Sequence, residues 1–191
     1  MKKFFLLSLF VAACSLQLAA QEPTFVKGDK VVNLGIGFGS ILYSGTYYST
    51  VIPPVSASFE MGIADGIAEK GSIGVGGYLG ISSYKWEYPY YYQGATWGYK
   101  YTNFILGARG VFHYPLVEKL DTYTGLMLGF NISTTKEFGT IDPLYTNNDS
   151  YGGLAYAWYV GGRYYFTESL AGMLELGYGI SYLNLGVAFK L

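Results

Sequence analysis

Few residues in this 191-residue chain could do chemistry, and most of those are charges set singly on runs of small or aromatic residues. Glu60, Arg109, Arg163, Glu175 and Lys190 fall on the same alternate positions as glycine, alanine, serine and tyrosine in segments of two-residue periodicity. A charge on the enclosed face of a narrow sheet is costly unless compensated, so these five are expected to pair as an ion-pair network across an interior. Such a network reads first as a structural plug and second as a gate or polar conduction path. Catalysis has little to work with. His113, the only histidine, comes late in its segment, where it would lie near an inner rim, and no Gly-x-Ser-x-Gly elbow surrounds any serine. Glu60 and Glu175 could act as general bases, but neither has an identifiable nucleophile. An oxygen-ligand calcium set near Asp142, Asn147, Asn148 and Asp149 is the one conceivable metal site, and solvated loop polarity accounts for the same residues. The expectation is therefore no enzyme activity, no catalytic or metal site and no cofactor.

The elements that must position these charges are strands. Val32, Leu34, Ile36 and Phe38 alternate with Asn33, Gly35, Gly37 and Gly39, and comparable alternation recurs over 55–63, 73–82, 103–113, 125–131, 156–166, 170–180 and 183–191. A soluble sandwich or barrel would bury the apolar face and send Lys, Glu, Thr and Gln into water on the other. Here the second face is mostly Gly, Ala, Ser and Tyr, suited to a crowded interior, which leaves the apolar face for lipid. The composition agrees, with 51% hydrophobic residues, 13% charged against roughly 25% in soluble domains, 27 Gly and 21 Tyr. The predicted fold is all-β, an eight-stranded antiparallel up-and-down transmembrane β-barrel.

Residues 1–20 read as a signal peptide, with Lys2 and Lys3 before an apolar stretch and Leu18-Ala19-Ala20 before the expected cleavage, leaving 21–191 as one barrel domain. Cleavage there removes Cys14, the only cysteine; the alternative reading takes Val11-Ala12-Ala13-Cys14 as a lipoprotein box with Cys14 acylated and retained. Beyond residue 20 no run approaches the roughly 20 apolar residues of a membrane helix, so any spanning must be done by strands. A net charge of −1 and the lack of a basic cluster set nucleic acid aside as a partner. Long connections at Ser40 to Pro54, Ser83 to Tyr99 and Ile132 to Gly152 alternate with short ones at Asp65 to Ser72, Pro115 to Asp121 and Thr167 to Ser169, and a tight hairpin is expected near Ser181. That alternation places both termini on the periplasmic side of an outer membrane.

From Lys30 to Leu191 the chain resembles the small outer-membrane β-barrel proteins of the OmpA, OmpX and OmpW kind. The most specific match is the C-terminus, where Asn184, Gly186, Phe189 and Leu191 follow the pattern that serves in these proteins as the assembly signal, with Leu191 where many relatives end in Phe. The resemblance implies outer-membrane lipid and the barrel-assembly machinery as partners. The second long connection, with Tyr84, Trp86, Tyr88, Tyr90, Tyr91, Tyr92 and Trp97, is read as a membrane-interface belt or as a surface for an extracellular or envelope partner. Two functions stay open: a non-enzymatic structural or surface-interaction barrel, and, as an OmpW-like resemblance allows, a narrow channel for small or apolar solutes.

Overall fold

The computed structural model describes residues 23–40, 43, 46–89, 96–139 and 148–191; the expected signal peptide, Tyr90, Tyr91, Tyr92, Asp142 and Asn147 lie outside them. Eight strands follow one another: β1 (Lys30–Phe38), β2 (Tyr48–Ile67), β3 (Gly71–Pro89), β4 (Thr96–Val117), β5 (Leu120–Gly139), β6 (Asn148–Tyr165), β7 (Leu170–Tyr178) and β8 (Leu183–Lys190). Each pairs antiparallel with its sequence neighbour, and β8 pairs back onto β1, closing the ring. The fold is the expected all-β up-and-down barrel, which has no sheet edge where the ring is complete.

Strand length departs from expectation. β1, β7 and β8 have 9, 9 and 8 residues, whereas β2 to β6 have 20, 19, 22, 20 and 18. Crossing a bilayer takes roughly 9–11 residues per strand, so five strands run on as a sheet projecting above the shorter wall. Much of the predicted long connections is therefore strand: β2 begins at Tyr48, β3 continues through Tyr84 and Trp86 to Pro89, β4 begins at Thr96, and β5 and β6 pair from Ile132↔Gly152 out to Lys136↔Asn148. The physical reason is that Thr, Tyr and Trp favour pleated sheet as strongly as the apolar residues below them, so pairing does not stop where hydrophobicity does.

The sides of the ring are partitioned inside out. Leu34, Phe59, Leu79, Leu106 (58% exposed), Leu128 and Val187 point outward uncovered, while Asn33, Glu60, Asn103, Asp121 and Arg163 (0% exposed) are enclosed. An apolar outer belt around a polar interior is the arrangement of a barrel solvated by lipid. At one rim the connections are tight. Ala68 and Glu69 (φ 49° and 77°) turn β2 into β3, and Lys119 (φ 63°) turns β4 into β5. The Leu191 N–H donates to the Lys30 carbonyl at 2.9 Å, bringing the start of β1 and the end of β8 to this same rim.

Candidate functional site

The lumen is built in layers. Nearest the tight turns, Glu60 on β2, His113 on β4, Asp121 on β5 and Arg163 on β6 converge. Arg163 Nη2 lies 2.5 Å from Glu60 Oε2 and Nη1 lies 3.0 Å from Asp121 Oδ2. His113 bridges the same two carboxylates, with Nε2 2.5 Å from Glu60 Oε1 and Nδ1 2.8 Å from Asp121 Oδ1. Carboxylate oxygens at both of its nitrogens favour a ring that carries a proton on each. Phe25 closes the layer from below. Its ring stacks on His113 at 4.1 Å, its carbonyl accepts from Ser72 Oγ at 2.8 Å, and its side chain is buried. The segment is pinned by a 2.9 Å bond from the Gly28 N–H to the Gly62 carbonyl. A Cβ at Gly62 would come within 2.2 Å of the Val26 carbonyl.

One layer up, Arg109 on β4 is fully engaged. Nη2 donates to Glu175 Oε1 at 2.6 Å, Nε to the Tyr159 hydroxyl at 2.7 Å and Nη1 to Ser58 Oγ at 3.1 Å. Glu175 also accepts from the Tyr123 hydroxyl (3.0 Å) and from Asn184 Nδ2 (3.2 Å). The guanidiniums of Arg109 and Arg163 lie over the Tyr159 and Tyr123 rings at 4.2 and 4.6 Å, so both cations have aromatic as well as anionic contacts. Glycine makes the room: a Cβ at Gly74 would meet Glu60 Oε1 at 2.5 Å, and one at Gly125 the Tyr159 hydroxyl at 2.4 Å. With both His113 nitrogens protonated, three cations, Arg109, Arg163 and His113, face three anions, Glu60, Asp121 and Glu175. A cavity of about 40 Å³ beside Arg109, walled in part by Tyr78, Ile180 and Asn184, has room for about three waters.

Of the five charges expected to form one network, the structure brings Glu60 to Arg163 and Glu175 to Arg109. Lys190 is the exception. It lies at the rim, 2.6 Å from Asp29 Oδ2 and 3.0 Å from the Thr24 carbonyl, because it is the last residue of β8 and meets the N-terminal segment there. Sequence reading missed His113 and Asp121 as members, although their parity with Arg109 and Tyr123 was available. It also missed Phe25, whose place depends on a chain reversal that no periodicity signals. In the C-terminal strand Asn184 points inward, while Phe189 and Leu191 are exposed on the outer side.

Above the ion pairs the lumen is neutral. Asn103, Ser82, Ser133 and Tyr84 are buried, and Asn131 Nδ2 donates to Asn103 Oδ1 at 3.1 Å. Ser82 Oγ, Tyr84 OH, Asn103 Nδ2 and Asn131 Oδ1 have no hydrogen-bond partner. Tyr43 roofs this layer, its ring 4.9 Å from Tyr101 and 4.8 Å from Tyr84 and its hydroxyl 3.4 Å from Asn103 and Ser133; its partial burial pushes the phenol above its usual range. Higher still, Tyr48, Trp86, Tyr99 and Trp97 line the concave face of the projecting sheet, with Trp86 and Trp97 edge to face at 5.8 Å and Trp97 Nε1 donating to Glu137. Tyr84, Trp86, Tyr88 and Trp97 are thus strand residues and not parts of a free loop. No cluster of His, Cys, Asp or Glu suited to a metal occurs among the described residues.

Neither a protein-family model nor a curated protein matches the sequence. Among solved structures, the N-terminal β-barrel domain of Pseudomonas aeruginosa OprF is similar at 13% identity and a TM-score of 0.43, covering 86% of this chain and 98% of that one. Ail, the attachment invasion locus protein of Yersinia pestis, is similar at 11% identity and a TM-score of 0.46, covering 86% and 96%. Its complex with the heparin analogue sucrose octasulfate gives 10% and 0.42 over the same shares.

Proposed function

We propose that this chain is an integral outer-membrane barrel with a closed lumen and a non-enzymatic role carried by the sheet that projects beyond the lipid. The observation that carries the reading is the charge-for-charge matching inside: a path for ions needs polar groups facing water, and here Glu175 faces Arg109, Glu60 faces Arg163, and Phe25 covers the layer of His113. An eight-stranded barrel is just wide enough for its own side chains to fill. The part free to act is then the concave aromatic face with Tyr48, Trp86, Trp97 and Tyr99, whose flat rings and polar tips suit an extracellular or envelope protein. The C-terminal Asn184, Gly186, Phe189 and Leu191 would serve the barrel-assembly machinery, and both termini would lie in the periplasm.

A second reading, a narrow channel for small or apolar solutes, draws on the cavity beside Arg109. Outward-facing Trp158 and Tyr178 share its walls with inward Glu175, as at a lateral opening. Planar-bilayer recording of the refolded chain separates the two. A heat-modifiable barrel that passes no current supports the closed reading, and steady unitary openings favour the channel.

A further inference from the structure

The outer, convex face of the projecting sheet carries a second pattern. Between β3 and β6 the register is unbroken above the barrel, so cross-strand rows can be read directly. The last apolar row is Ile81↔Phe104↔Ile132, and the next row on this side is Thr102↔Thr134↔Ser150, with Ser83 opposite Thr102 but itself fully buried. The one above it is Lys85↔Lys100↔Lys136. Hydroxyls dominate the middle row, with Ser83 Oγ 3.3 Å from Thr102 Oγ1 and Ser150 Oγ donating to Thr134 Oγ1 at 3.3 Å. The sequence down this face is therefore apolar, hydroxylated, basic, within the span of five residues on each strand.

Three like charges directly opposite one another on adjacent strands, with Cβ atoms about 5 Å apart, repel and destabilise a sheet unless an anion shares them. The described residues supply only part of one. Lys85 Nζ lies 2.5 Å from Glu87 Oε2 and 4.4 Å from the Phe138 ring, and among the described residues no ion pair involves Lys100 or Lys136, both exposed. Glu137, the other acid of this region of β5, faces the concave side, where it accepts from Trp97. Among the described residues no further acid faces this row, and the phase that meets this face just above an apolar belt is the polar surface of the bilayer.

We propose that Lys85, Lys100 and Lys136 form a binding row for the phosphate groups of a membrane lipid packed against β3, β4 and β5, with its acyl chains along Ile81, Phe104 and Ile132 and its headgroup near the hydroxyl row. This rests on the reading of the chain as an outer-membrane barrel. Lysine stems of this length reach back along the strand to phosphates at the interface. Each lysine near a membrane surface is worth about a five-fold gain for anionic lipid.

The test uses the folded full chain in dodecyl maltoside micelles, titrated with bis-phosphorylated lipid A and, separately, with the dephosphorylated lipid, retention being measured by native mass spectrometry. The Lys100→Gln/Lys136→Gln variant should bind the phosphorylated lipid about thirty-fold more weakly than the wild type, with no difference for the dephosphorylated one, and arginine at both positions should restore retention. Equal binding by wild type and glutamine variant, both heat-modifiable, would overturn the row and leave the barrel reading intact. Displacement of the lipid by millimolar inorganic phosphate would also overturn it, by showing a site for free anion. A chain that takes up neither lipid would overturn the membrane reading together with this inference.

Discussion

The two halves of the lumen solve the problem of buried polarity in opposite ways. Near the tight turns Glu60, Asp121 and Glu175 are matched by Arg163, His113 and Arg109, each charged group lying within 3.0 Å of an opposite one even though Arg163 Nε has no hydrogen-bond partner. Towards the projecting sheet Asn103, Ser82, Ser133 and Tyr84 are uncharged, and several of their polar atoms have none. A charge left unpaired in an enclosed space costs several kcal/mol, whereas an unpartnered hydroxyl or amide costs about 1–3. The lower half has to match its charges; the upper half can be left open for water or a neighbouring group. The lumen is thus packed charge against charge near the tight turns and neutral beneath the projecting sheet.

The lower half is most vulnerable at Arg163. Replacing it with Met leaves Glu60 and Asp121 facing each other with only His113 between them, and should cost roughly 3–5 kcal/mol, seen as loss of the heat-modifiable gel band well below the wild-type midpoint. Arg109→Ala strands Glu175 in the same way and should also open a water path, raising bilayer conductance above the wild-type baseline; an unchanged, near-zero conductance would count against the plug. Phe25→Ala removes the stacked ring beneath His113. Because the rim can partly refill with water, the expected loss is about 3 kcal/mol, the low end for a buried phenylalanine, again read from the thermal midpoint of the gel shift. In the upper half Asn103→Ala should lower stability by about 1 kcal/mol or less, since only its Oδ1 is engaged. A large effect there would erase the distinction between the halves.

The barrel was legible from Val32, Leu34 and Ile36 onward because lipid on one side and a crowded lumen on the other impose the same two-residue period on every strand. Glu60, Arg109, Arg163 and Glu175 could be assigned inward on that period alone. Which of them meet could not, since pairing depends on strand tilt and stagger, and these place Arg163 beside Glu60 103 positions away. Lys190 failed for a related reason: its parity is inward, but it belongs to the rim, where parity stops deciding environment. Asp121 reads as the end of a turn after Pro115, but β5 begins at Leu120 and carries it inside. The projecting strands were hidden because Ser83 to Tyr99 is both loop-like in polarity and strand-like in its Tyr and Trp, and only pairing energy between neighbours chooses.

The account depends most on the lumen being balanced charge for charge, and the chain offers a clean probe because His113 is its only histidine. Nitrogen-15 spectra of the histidine-labelled, folded barrel at neutral pH report the proton on each ring nitrogen without assignment by mutation. The balance predicts two protonated nitrogens, one towards Asp121 and one towards Glu60. A neutral ring with a single proton would leave three carboxylates facing two guanidiniums, and would contradict the closed, self-compensated interior.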